Sequence, residues 1–254
     1  SNKEGNKYLE IIARSAMRCV TLEDEFNDRA DYSLHWENVE HVNRAYRAYK
    51  KENMRHDYTD MVTQFVRQGT APTLDVLIVD EAQDLTPLQW EQVKILKQHA
   101  ARVYYAGDDD QCIHRWNGVE VSHFMNACDS HRVLDQSYRV PKQVFTLANQ
   151  IVKRIHYRQP KLWKPMDREG EIHWHSNWYD VDIDEGSWTI MGRTNLIASK
   201  IANQLREDGH LFKMYDKLSF SEELIHAMAI WKRLTEDQAI SIEEARSLYK
   251  QVPK

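Results

Sequence analysis

"TLDVLIVDEAQDLTPLQW", residues 73–90, is the stretch on which the fold of this chain turns. Its first part, Leu74 to Val79, is short, rich in β-branched residues and almost wholly apolar. That pattern fits a strand covered on both faces, as strands of parallel sheets are. The run ends abruptly in acid, at Asp80, Glu81 and Asp84. "LTPLQWEQVKILKQHA" follows with helical spacing, placing Leu88, Trp90, Val93 and Leu96 on one side. "ARVYYAGDDDQ", residues 101–111, is a second apolar run that also ends in acid. Strand, helix, strand and acidic loop make a βαβ order, so the predicted class is α/β. In such sheets ligands bind beyond the carboxyl ends of the strands, where both acidic clusters lie.

Upstream, residues 8–68 read as helical. "VEHVNRAYRAY" sets Val39, Val42, Tyr46 and Tyr49 on one stripe, and Tyr58, Met61, Val62 and Phe65 continue the pattern. Gly69 stops it. Downstream, "HRVLDQ" predicts a short strand, followed by a helix through "SYRVPKQVFTLANQIVKRI". "EIHWHSNW" and "SWTIMGRTN" predict further strands. "LIASKIANQLREDGH" predicts a helix ended by Gly209, and the residues after Ser221 are helical.

A formal charge of −5, with 29% charged residues, argues against binding nucleic acid through overall positive charge, but leaves room for a local basic groove. No run of about 18 apolar residues is present, so no membrane span is expected. The polar start does not resemble a signal peptide. Cys19, Cys112 and Cys128 are odd in number and lack CxxC spacing, which fits reduced thiols in a cytosolic protein. "HWH" at 173–175 is either a metal-binding pair or simple strand alternation. The basic stretch 152–164 is either a DNA contact, through Lys153, Arg154, Arg158 and Lys161, or a solvated helix end and connector, the reading preferred here.

A strand-end Asp-Glu pair suits a metal-bound triphosphate. The first carboxylate helps to hold hydrated Mg²⁺ and the second activates or orients a water. The competing reading makes Asp84 a helix cap. Gln111, a neutral amide beside the second acidic tip, is placed to sense a γ-phosphate. His114 and Trp116 share a face if their segment is extended, and paired rings stack on single-stranded bases at about 1–3 kcal/mol each. Alternatively Trp116 is core and His114 a surface residue.

"VDEAQD" at 79–84, "GDDDQCIHRWNG" at 107–118 and "LDQSYRVPKQVFTLANQI" at 134–151 resemble three successive motifs of the UvrD/Rep-type superfamily-one DNA helicases. "HDYTDMV" at 56–62 and "IMGRTNLIASKIANQLREDG" at 190–209 are similar to flanking segments of that family. The resemblance implies parts of two RecA-like P-loop-type domains with helical accessory segments. The divisions it implies are 1–70 helical, 71–134 first motor domain, 135–218 second motor domain and 219–254 the start of a helical insertion. It further implies an ATP-dependent, 3′-to-5′ helicase or translocase in the cytoplasm of a bacterium or a phage-infected host. Its cofactors would be ATP and Mg²⁺, and its partner single-stranded DNA or a duplex/single-strand junction. By that resemblance Asp80 ligates Mg²⁺ and Glu81 is the catalytic base. Gln83 and Gln111 couple nucleotide to DNA. Tyr138 stacks on adenine and Arg139 reaches the γ-phosphate; by itself "YR" reads as a surface pair. His114 and Trp116 stack on DNA, and Asn195 contacts the strand.

The sequence departs from the family pattern in places. None of its eight glycines is followed by Lys, so it has no "GxxxxGK[ST]" phosphate loop. Later family motifs are absent. Asn117 stands where the family usually has Arg, and His114 where it usually has Tyr. The expectation is an internal fragment of a longer helicase that does not hydrolyse ATP by itself. The alternative is a catalytically inert helicase-like module that holds single-stranded DNA or a protein partner.

Overall fold

A computed structural model describes residues 2–28 and 33–251, with side chains from Lys7 onward. Residues 29–32 of the predicted helical segment lie outside the described residues. The chain packs as two compact units, Ser1–His173 and Trp174–Lys254.

The first unit begins with α1 (Asn2–Met17), α2 (Leu22–Asp28), α3 (Trp36–Glu52) and α4 (Tyr58–Gln68). Ile11, Leu34 and Val39 are buried together, with Tyr8, Leu22, Phe26 and Trp36 packed around them. Of the predicted α3 stripe, Val39 is fully buried, but Tyr49 at the far end is exposed. An ionic knot pins α1 to α2. The buried Glu25 carboxylate receives Arg18 Nη1 at 2.5 Å, and Arg14 Nε lies 2.7 Å away, off hydrogen-bond alignment. Removing one partner of a buried pair costs about 3–5 kcal/mol. Both guanidinium groups reach solvent in part, so Glu25→Ala is expected to cost about 2–3 kcal/mol, read as a lower urea midpoint at unchanged slope.

The turn into α4 is a capping box in which Asp57 and Asp60 exchange side-chain-to-backbone bonds. Lys50 Nζ bridges both carboxylates, at 2.9 Å and 2.7 Å. Burial pushes the Asp57 carboxyl up, but hydrogen bonds from Asp60 N–H, Lys50 and Tyr46 outweigh it and hold it below its ordinary range. Gly69, at φ 65°, closes the helix in the left-handed conformation, as its position predicts.

Next come β1 (Leu74–Val79), α5 (Pro87–Gln98) and β2 (Ala100–Tyr105). β1 and β2 pair in parallel, from Leu74 opposite Ala100 to Val79 opposite Tyr105. Parallel strands need a crossover, and α5 supplies it. α5 is capped by Thr86, not Asp84: Thr86 and Gln89 form the capping box and Pro87 is the first helical residue. Val79, Ala82, Trp90 and Val93 make the core, joined by Leu77, Leu85, Tyr105 and Phe124. The expectation of a strand covered on both faces is corrected here. Alternate side chains face α5, while Ile78 is 69% and Tyr104 54% exposed on the other face.

Beyond α6 (Val121–Met125) lies α7 (Lys142–Val152), whose Phe145 ring meets Trp163 edge-on at 4.5 Å. The predicted strands at "HRVLDQ", "EIHWHSNW" and "SWTIMGRTN" do not form. Only an isolated parallel bridge joins Gln136 to Lys164. A strand needs a neighbour for its N–H and C=O groups. Among the described residues no ladder runs along these segments: residues 135–137 bond by backbone to Lys164, and Leu134, Trp174, Trp188 and Met191 stay exposed.

In the second unit, Thr194 caps α8 (Asn195–Glu207), and Gly209 at φ 84° ends its last turn. The two-residue strands β3 (Lys213–Met214) and β4 (Lys217–Leu218) pair antiparallel around Tyr215 and Asp216, both at positive φ, as a tight hairpin needs. The helical tail is two helices, α9 (Glu222–Thr235) and α10 (Ile242–Gln251). Arg233 bridges the break by donating to Glu244 at 2.6 Å and to the Ala239 carbonyl at 2.8 Å. Among the described residues, no helix is long and apolar enough to cross a membrane.

Candidate functional site

The tips of β1 and β2 are sewn together. Ala106 N–H donates to the Val79 carbonyl and Ala82 N–H to the Ala106 carbonyl, carrying the parallel ladder one step past each strand. Between these bonds the chain at Glu81 turns left-handed, at φ 48° and ψ 39°. A side chain other than glycine or asparagine rarely adopts that conformation; it costs about 1–3 kcal/mol and persists where the surroundings impose it. Here the turn lifts Asp80 and Glu81 off the end of the strand, both exposed. Asp80 Oδ1 accepts the Glu81 N–H at 3.0 Å.

Gln83 occupies the centre of the site. It is buried, donates to Glu81 Oε2 at 2.8 Å, and accepts Asp108 N–H on Oε1 at 3.1 Å. One amide thus joins the carboxylate at one strand tip to the acidic loop at the other. Gly107 makes room for it, since a Cβ there would overlap Gln83 Oε1. Gln111 is exposed and donates to Asp108 Oδ2 at 2.6 Å. Glu81, Gln83, Asp108 and Gln111 therefore form one continuous hydrogen-bonded series.

His114 and Trp116 are not on an extended segment as predicted. Residues Arg115–Asn117 form a 3-10 turn closed by Gly118 at φ 83°. The rings still meet, edge-on at 6.3 Å, and Trp116 is 61% exposed, so it is not core. Tyr138, at 82%, and Arg139 are both exposed, and among the described residues no hydrogen bond or ion pair joins either to Asp80 or Glu81. Asn195 is the exposed first residue of α8, in the second unit.

The basic stretch is solvated at its helix end, where Lys153 and Arg154 are exposed, but the preferred sequence reading fails at Arg158 and Lys161. Arg158 grips Asp110 with two parallel bonds of 2.7 Å, the bidentate geometry of a strong charged pair. Lys161 Nζ contacts Asp108 at 2.5 Å, Asp110 at 3.2 Å, and also Asp109. Gln159 N–H donates to Asp109 Oδ2 at 2.7 Å. Burial pushes the Asp108 carboxyl up, but hydrogen bonds from Lys161 and Gln111 hold it below its usual range. Burial lowers Lys161, and its bonds to Asp108 and Asp109 more than reverse that. The Asp108–Lys161 contact thus weakens as pH falls through the depressed Asp108 value or rises through the raised Lys161 value. The three successive aspartates were themselves a signal: so much charge near one Gln needs distant cations, and an Arg and a Lys three apart can supply them.

Among the described residues no three His, Cys, Asp or Glu side chains converge as metal ligands. His173 pairs with Glu171 at 3.0 Å and lies on no strand. Asp80 offers one exposed, hard oxygen group, which fits a Mg²⁺ that keeps its waters and takes its other ligands from phosphates. The three cysteines are free.

A profile described as the UvrD/REP helicase N-terminal domain matches residues 2–132. The ATP-dependent DNA helicase PcrA of Leuconostoc citreum is 30% identical over 190 residues, covering 69% of this chain and 24% of that protein. PcrA of Bacillus subtilis (strain 168) is 27% identical over 153 residues, 58% of this chain and 20% of its own length. A PcrA of Staphylococcus epidermidis is 25% identical over 197 residues, 72% of this chain and 27% of its own. The chain spans about a quarter of the length of these relatives.

Proposed function

The chain belongs to the UvrD/REP helicase family, and from that premise we propose that it carries part of the motor of an ATP-dependent DNA helicase. The observation that carries the proposal is the left-handed Glu81 at a parallel strand tip, hydrogen-bonded through Gln83 to the loop that bears Gln111. Backbone strain of this kind gathers at sites where a side chain must be aimed.

In this reading Glu81 accepts the proton of the water that attacks the γ-phosphate. Asp80 would hold Mg²⁺, which when bound neutralises charge on the phosphates. Gln83 fixes the orientation of Glu81, and Gln111 faces the γ-phosphate as its sensor. Tyr138 takes the adenine face and Arg139 reaches the phosphates; the exposure of both leaves them free to do so. His114 and Trp116 hold single-stranded bases, with Asn195 as a further strand contact. Residues 71–134 and 135–218 are assigned to two RecA-like halves, with movement 3′ to 5′ on DNA in the cytoplasm.

The DNA part is tested on the chain itself, by anisotropy of a fluorescein-labelled oligothymidylate. Binding is expected, and Trp116→Ala is expected to weaken it at least about tenfold, the scale of one lost base stack. Binding of equal strength by Trp116→Ala would remove that residue from the interface.

A further inference from the structure

Resting on that reading, we propose that Arg158 and Lys161 are positioning residues. They make residues 158–166 a strap that holds the Gln111 loop in register with the Tyr138–Arg139 segment. At one end of the strap, Arg158, Gln159 and Lys161 bind all three side chains of Asp108–Asp110. The Asp109 and Asp110 side chains are almost wholly buried in that grip. Three residues on, the other end pairs with the segment that bears Tyr138 and Arg139. Lys164 N–H donates to the Asp135 carbonyl at 2.7 Å, and Ser137 N–H donates to the Lys164 carbonyl at 2.8 Å. Gln136 Nε2 donates to the Pro165 carbonyl at 3.0 Å, and Met166 N–H to the Val140 carbonyl at 2.9 Å. Trp163, between the two ends, is held against Phe145 of α7.

The geometry follows from these bonds. Asp108 contacts Gln83 through its N–H and both Gln111 and Lys161 through its carboxylate. A shift of the Tyr138–Arg139 segment therefore pulls on Lys161 through only a few residues of chain, and Lys161 pulls on the loop that sets Gln111. Charged hydrogen bonds in a half-buried setting transmit such a pull better than apolar contacts, because they are directional and costly to break. In the proposed motor, this strap would tie the residues facing the nucleotide base and phosphate to the loop that carries Gln111, His114 and Trp116.

The test is amide hydrogen exchange on the full chain, for wild type, Arg158→Gln, Lys161→Met, Lys161→Arg and the exposed connector control Lys153→Met. Arg158→Gln and Lys161→Met are each expected to speed exchange about tenfold in both 107–112 and 135–140, the scale of one lost charged hydrogen bond. Lys161→Arg, which keeps the charge, is expected to restore most of the protection, and Lys153→Met to change nothing. Faster exchange confined to 107–112 would overturn the strap, as would no change, or an equal rise through α1 and α3 that marks general destabilisation. Oligothymidylate anisotropy is run in parallel. A wild type that binds no oligonucleotide defeats the DNA reading, while the exchange pattern still decides the strap.

Discussion

Glu81→Gln is expected to lower DNA-stimulated ATP turnover by about 10³-fold in a gene product where this chain is joined to a GxxxxGK[ST] loop. The substitution is close to isosteric. The amide oxygen of the new side chain can still accept from Gln83, whose bond to Glu81 is 2.8 Å in the wild type. The left-handed backbone at this position is no harder for Gln than for Glu. The fold, the strand-tip ladder and oligonucleotide binding should therefore survive, and only the proton acceptor is lost. Steady-state phosphate release, with anisotropy as the control, checks this. A variant that keeps turnover within about tenfold would show that the base lies elsewhere.

Trp90→Ala is expected to be the most destabilising single change, at about 3–5 kcal/mol. Trp90 is buried at the centre of the cluster formed by Val79, Ala82 and Val93, and stacks near Tyr105 at 5.7 Å and His123 at 6.1 Å. Its loss would open a cavity directly under both strand tips. Among the described residues its indole N–H has no hydrogen-bond partner, so Trp90→Phe loses volume but no bond. That variant is expected to cost less than about half as much. Urea unfolding of the two variants gives the comparison. Equal losses would mean that the nitrogen, not the ring volume, matters.

What sequence reasoning reached, and what it missed, divides along physical lines. The β1–α5–β2 unit was legible because an apolar run, a Pro-initiated helix and a second apolar run each carry a local period. The pairing of Gln83 with the second acidic tip was not, because nothing in residue spacing marks the left-handed turn at Glu81 between the two strand-tip bonds. The apolar segments around Leu134, Trp174 and Trp188 read as strands because composition reports a strand-like side-chain pattern. It does not report whether a neighbour runs alongside to pair the backbone, and among the described residues only Lys164 does so, against residues 135–137. The cap of α5 passed from Asp84 to Thr86 because Pro87 fits the first helical position, which makes Thr86 the cap. Arg158 and Lys161 read as solvated from sequence because a basic stretch usually is. Their burial depends on Asp108–Asp110, about fifty residues away, a pairing that no local window contains.

In the proposed function the paired strand tips form the hydrolytic half of a DNA-driven motor. Its most direct test is the rate of ATP hydrolysis with and without single-stranded DNA, measured on the gene product that joins this chain to a GxxxxGK[ST] loop. Turnover that rises with DNA and disappears in Glu81→Gln is the expected result. Tight oligonucleotide binding with no turnover, at any DNA concentration, would contradict it and leave an inert binding module.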